Sequence, residues 1–155
     1  MADTEWQPTD PVLLACRELW RAMEDFDEAV CRTLGIGRSD LRALNALEHG
    51  PRSAADLAQR LGLTRGSVTA LIDRLEAADL VSRRPAPADR RKVLVGLTET
   101  TYATLADIYR PLGQRVTAAA AARAERDRRT LARGLADIVE AFRRAAPDDR
   151  PTVGR

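Results

Sequence analysis

Two short runs hold the side chains best suited to chemistry. Thr64-Arg65-Gly66-Ser67, with Thr69 close behind, collects three hydroxyls and a guanidinium within six positions. Asp89-Arg90-Arg91-Lys92 sets three cations beside one carboxylate. Short hydroxyl donors and arginines are the groups that bond to phosphate oxygens and to base edges in a DNA groove. An arginine at an exposed tip can also enter a narrow minor groove, where the potential is most negative. An acid two residues before an arginine can orient its guanidinium through a bidentate pair. On this reading Arg91 takes the groove and Asp89 orients it, while Arg84, Arg90 and Lys92 contact phosphates.

The charge distribution points the same way. The net charge of the 155 residues is only +2. Residues 1–51 carry 5 arginines against 10 acids, whereas residues 52–92 carry 9 basic residues against 5 acids. Residues 93–155 carry 11 against 8. Within Ser82–Lys92 there are five positive residues and one negative. A basic patch on a near-neutral chain is the footprint of a nucleic-acid contact, although a solvated charged face looks similar.

The elements that must position these residues can be read from periodicity and punctuation. Val12, Cys16, Leu19, Met23, Phe26, Val30 and Leu34 recur at steps of three and four, predicting one long helix from about Asp10 to Leu34. Gly35 and Gly37 end it. Ser39 can cap a short helix carrying Leu41, Leu44 and Leu47 inward, closed by Gly50-Pro51. Ser53 caps the next helix, with Asp56 as its capping-box partner and Leu57, Ala58 and Leu61 on its buried side. Thr64 then caps a helix with the apolar stripe Val68, Leu71, Ile72 and Leu75. Ala58, Gly62 and Val68 have the spacing of a helix-turn-helix, with Leu63 as its buried plug. Leu80–Arg84 and Lys92–Leu97 are short strand candidates. Pro85, Pro87 and Asp89 make an extended, non-helical loop between them. Thr98 caps a long helix that Pro111 must kink or interrupt. A last helix spans about 125–146 with Leu131, Leu135, Ile138, Val139 and Phe142. Residues 1–9 look frayed, and Pro147 onward reads as a polar tail. The fold class is therefore mainly α with a small β-hairpin wing: a winged helix-turn-helix flanked by long helices at both ends.

The segment DLAQRLGLTRGSVTALIDRLEAADLVSRRPAPADRRKVLVGLTE resembles the MarR family of bacterial transcriptional regulators. The block LAxxLGLTRxxVTxLIDRLExxxLVxRR and the wing DRRxVLVxLT carry the resemblance, which extends over about residues 10–146. It implies a single MarR-like domain over 1–155, with 10–34 and 99–146 as dimerisation helices around a winged helix-turn-helix at 39–98. It further implies a homodimer on a pseudo-palindromic double-stranded operator, with half-sites about one helical turn apart. Repression is the implied activity, and a small amphipathic, often phenolic, effector would release the DNA. The expected DNA-contacting set is Ser53, Thr64, Arg65, Gly66, Ser67, Thr69, Arg74, Arg84, Asp89, Arg90, Arg91 and Lys92. Two positions depart from the family pattern. Gly66 stands where relatives often carry proline, and Thr101 where a glycine is common.

Other chemistries find little support. No nucleophile–base pair, glycine-rich phosphate loop or paired-carboxylate arrangement stands out, so an enzyme is not expected. One histidine, His49, and two separated cysteines make no metal cluster, and neither a metal nor a cofactor is expected. Cys16 and Cys31 lie about 22 Å apart along one helix and cannot bridge within the chain. One alternative is a redox-sensing regulator using Cys16 or Cys31. Tyr102 and Tyr109, the only tyrosines, are far from both cysteines in sequence. A second alternative is a winged helix that binds protein and not DNA. Trp20, Met23, Phe26 and His49 could line an effector pocket, core or dimer interface being the plainer reading, so the ligand-binding residues stay unassigned. No membrane-spanning run and no signal-like N-terminus occurs, giving a cytoplasmic expectation.

Overall fold

The computed structural model describes residues 10–87 and 89–145, with the backbone alone at Arg90. The expectations for residues 1–9, Ala146 and the tail lie outside this range. The chain divides into two compact units, one through Ile108 and the other from Tyr109.

The first unit opens with α1, Pro11–Leu34. Asp10 caps it, its Oδ1 accepting the N–H groups of Val12 at 2.8 Å and Leu13 at 3.1 Å. Pro11 stands at the first helical position, where a missing N–H costs nothing. Gly35, at φ 65°, closes the helix. Only Val30 and Cys31 of α1 are buried, whereas Val12, Leu19, Trp20 and Met23 remain exposed. The apolar stripe exists as expected: Val12, Leu19 and Met23 on it are exposed, Cys16, Phe26 and Leu34 half-buried, and Val30 buried.

Helix α2, Arg38–Leu47, begins one residue before the expected cap. Ser39 lies inside it and Gly37 is the N-cap. Gly37 has no side chain to offer, so Asp40 supplies the acceptor by bonding back to the Gly37 N–H at 3.1 Å. The second Asp40 oxygen accepts from Arg74, which ties the start of α2 to a later helix. Helices α3, Ala54–Leu61, and α4, Arg65–Ala77, follow. Strands β1, Val81–Ala86, and β2, Asp89–Leu97, form an antiparallel hairpin. Arg52 adds a one-residue third strand, exchanging backbone bonds of 2.8 and 2.7 Å with Val95. Gly96 makes this approach possible, because a Cβ there would meet Pro51 Cγ at 3.3 Å.

Both strands reach further than the sequence suggested. Pro85 sits within β1, tolerated because an outer strand needs no N–H on its open edge. The long loop expected between the strands shrinks accordingly. The core of this unit is aliphatic: Leu41, Leu44, Leu57, Val68, Ile72, Leu75, Val81 and Val95 are fully buried. They come from α2, α3, α4 and both strands, so one cluster holds all five elements.

Helix α5, Glu99–Ala121, leaves the first unit and enters the second. The Thr98 hydroxyl accepts the Thr101 N–H at 3.2 Å and lies 2.8 Å from the buried Thr101 hydroxyl. Threonine in place of the common glycine thus adds to the cap. Pro111 lies inside the helix, so of the expected kink or interruption it is the interruption that does not occur. Helix α6, Glu125–Ala145, has no buried residue. Leu131, Leu135, Val139 and Phe142 are exposed along it. Among the described residues no helix is long and apolar enough to cross a membrane.

Ile72 is 2% exposed at the centre of the core. Replacing it with alanine should cost about 2–5 kcal/mol, the usual loss for emptying such a site. Urea unfolding followed by circular dichroism measures this, and a loss below about 1 kcal/mol would contradict the packing described.

Candidate nucleic-acid interface

The turn between α3 and α4 is built on Gly62, whose φ of 66° is left-handed and favours glycine. The Leu63 N–H bonds to the Ala58 carbonyl at 2.9 Å, fixing the turn on α3. Leu63 itself is half-buried, less than the full plug expected. Thr64 is the N-cap of α4, and its hydroxyl accepts the Ser67 N–H at 3.2 Å. The two hydroxyls, Thr64 and Ser67, lie 2.9 Å apart. Thr69 donates its hydroxyl to the Arg65 carbonyl at 2.8 Å. Residues 64–67, 69 and 70 are all exposed, while Val68 beneath them is buried. Gly66 would meet nothing within 4 Å if it carried a Cβ. The chain does not require glycine there, so its effect is to leave the helix start open to close approach. A helix N-terminus with free N–H groups favours an anion.

The wing has an uneven register. Pro85 pairs with Val93 and Ala86 with Asp89, so Arg90, Arg91 and Lys92 stand between two register pairs where β1 has no residue. All three cations therefore belong to a bulge near the hairpin tip. Asp89 shapes it by accepting the Arg91 backbone N–H at 3.1 Å. The expected carboxylate–guanidinium pair is replaced by this backbone contact: two residues of separation bring the N–H into reach first. Arg91 and Lys92 are exposed. The expected phosphate contact by Arg90 concerns a side chain outside the described set.

Several other residues of the expected set are occupied within the chain. The Ser53 hydroxyl caps α3 by accepting the Asp56 N–H at 3.1 Å. Arg74 gives its guanidinium to Asp40, which is 6% exposed. Arg84 bonds to the Ser82 hydroxyl at 3.1 Å and the Leu97 carbonyl at 3.2 Å, at the base of the hairpin. Thr64, Arg65, Gly66, Ser67 and Thr69 are gathered at one helix start, and Asp89, Arg91 and Lys92 at the wing.

Sequence reading overlooked three arginines. Arg52 donates to the Ala46 carbonyl at 2.6 Å and to Asp56 at 3.0 Å. Arg60 reaches the same carboxylate at 3.1 Å. Both stand four positions from Asp56, a spacing that could have revealed them. Arg52, then Arg60, hold the Asp56 carboxyl below its usual range. Its contribution to stability is therefore present above the ordinary carboxylate pKa and lost as pH falls through the lowered one. Arg83 is the third, with its guanidinium shared between Asp73 and Glu76 of α4.

Among the described residues no cluster of His, Cys, Asp or Glu could hold a metal ion. Burial, with Asp27 nearby, pushes the Cys31 thiol up from its ordinary pKa. Such a thiol is a poor nucleophile at neutral pH. A hollow of about 380 Å³ in the first unit is lined by Leu47, Pro51, Arg84, Leu97, Thr98 and Tyr102, among others. Its lining does not include Trp20, Met23, Phe26 or His49.

Known proteins resemble this arrangement. The model of the MarR family matches residues 34–92, the stretch holding the turn, α4 and the wing bulge. The chain is 40% identical over 90 residues to the uncharacterized HTH-type transcriptional regulator YcgE of Bacillus subtilis, covering 57% of this chain and 58% of that one. It is 41% identical over 58 residues to the HTH-type transcriptional repressor NicR of Pseudomonas putida, covering 37% of each. The chain thus spans 58% of the first relative's length and 37% of the second's. A MarR-like transcriptional regulator from Thermotoga maritima matches in three dimensions with a TM-score of 0.66 at 25% identity, over 87% of this chain and 98% of that one. In its turn and wing the chain is similar to the MarR family, and its fold resembles that of a MarR-like transcriptional regulator.

Proposed function

We propose that this chain is a sequence-specific DNA-binding transcriptional regulator, acting as a homodimer on a pseudo-palindromic operator. The start of α4 enters the major groove and the bulge of β2 reaches the adjacent minor groove. The observation that carries this reading is how the arginines are spent. Arg52, Arg60, Arg74 and Arg83 each hold a carboxylate within the chain. Arg65, Arg91 and Lys92 have no described partner and lie exposed on the turn-helix and wing. Folding does not use these cations, and groove recognition does.

Repression is the sense of regulation we favour, as NicR is named a repressor. A small amphipathic effector and a cytoplasmic location complete the reading. Uncovered apolar faces support the homodimer. Helix α1 has five acids against three arginines, and α6 has six arginines against four acids. Two faces of opposite charge, each with exposed apolar side chains, suit mutual burial between copies. The protein-binding alternative leaves the cations of α4 and the wing without a use, and the redox alternative gains no support from the buried Cys31.

Fluorescence anisotropy with DNA from the chain's own upstream region tests the first claim. Arg65→Ala and Arg91→Ala should each weaken binding roughly tenfold, at the lower end of the 1–3 kcal/mol given for a specific base contact. Arg91→Ala should also flatten the log–log salt dependence by about 0.9 if its phosphate attraction is lost. Unchanged affinity in both variants would overturn the interface. Sedimentation velocity tests the second claim. Wild type should run as a dimer and the double variant Leu135→Glu, Val139→Glu as a monomer with weakened operator binding. A monomeric wild type, or an unaffected variant, would contradict it.

A further inference from the structure

We infer that Arg83 is a positioning residue, a strut that sets the wing at a defined place relative to α4 without touching DNA. The inference rests on the DNA-binding reading above. In sequence Arg83 belongs to the same basic run as Arg84, and a phosphate contact is the natural first reading. The geometry gives it a different task.

Its side chain is 33% exposed, well below Asp73 at 60%. One terminal nitrogen bonds to Asp73 and the other to Glu76. These acids stand three positions apart on α4, so both face the same side of the helix. The Arg83 backbone N–H also donates to the Glu76 carboxylate, at 3.2 Å. That third bond is informative. Strand β2 lies between β1 and the short Arg52 bridge, so β1 is the outer strand, with an open edge. Glu76 closes that edge at Arg83. Helix and strand are thus joined through both the side chain and the main chain of one residue.

The arrangement has consequences at both ends. A two-stranded hairpin is marginal alone, and its placement depends on what it leans on. The bulge with Arg91 and Lys92 lies at its far end, where a small change of angle at Arg83 becomes a larger displacement. Asp73 and Glu76 are negative groups on the same helix as Arg65, and unpaired they would repel phosphate. Arg83 neutralises part of that charge while it sets the wing.

The sign of one effect separates strut from phosphate contact. Operator affinity is measured for wild type, the double variant Asp73→Asn, Glu76→Gln, and Arg83→Lys, each with and without Arg91→Ala. A strut predicts that the double variant binds several-fold more weakly, although it carries two fewer negative charges. It also predicts that Arg91→Ala then costs less than in wild type, because the wing is already misplaced. Arg83→Lys keeps the charge but cannot span both carboxylates, and should show the same two changes. Equal or tighter binding by the double variant, or an undiminished Arg91→Ala effect in Arg83→Lys, would overturn the proposal. Wild type without operator binding would instead overturn the DNA-binding reading, and this one with it.

Discussion

Burial of the stripe Val68, Leu71, Ile72 and Leu75 governs where everything else on α4 can point. All four are at most 3% exposed. With a period of 3.6, once that face is inward the residues between it must face solvent. Thr69 is turned outward by this constraint, whereas Arg65 and Ser67, on or beside the stripe's own face, are exposed because they lie in the first turn of the helix. Val81 and Val95 enter the same cluster from the hairpin. The wing is therefore anchored by the core that orients the helix, and both parts of the interface depend on one patch of aliphatic packing.

Electrostatics then acts on the surface that packing leaves. Four carboxylates on or near α4 are matched to arginines: Asp40 to Arg74, Asp56 to Arg52 and Arg60, Asp73 and Glu76 to Arg83. The exposed pairs among these add little stability, often less than about 1 kcal/mol. Their effect is instead on geometry and on charge. They neutralise the acids close to the helix and set elements against each other, leaving Arg65, Arg91 and Lys92 to dominate the local field. A basic surface can thus arise on a chain whose net charge is only +2.

Much of the fold was readable where a cause lies within a few residues. Ser53, Thr64 and Thr98 cap the helices they precede because the needed oxygen is on the cap residue itself. The start of α2 was misread at Ser39 because Gly37 has no side chain and its partner sits three residues on. Pro85 read as a breaker, yet an outer strand tolerates it. The hydroxyl and glycine cluster of residues 64–69 was legible from one helix start. The roles of Arg74, Arg83 and Arg84 were not, because their partners are set by tertiary packing. Composition shows that a patch is basic, but only contacts show which cations are already spent.

The central claim is that one dimer reads two grooves in each half-site, with α4 in the major and the β2 bulge in the minor. Chemical footprinting of the operator complex tests it most directly, by methylation at guanine N7 in the major groove and adenine N3 in the minor. The account predicts two protected major-groove patches about one helical turn apart, each with an adjacent minor-groove protection that disappears in Arg91→Ala. Protection confined to one groove, or minor-groove protection that survives Arg91→Ala, would contradict it.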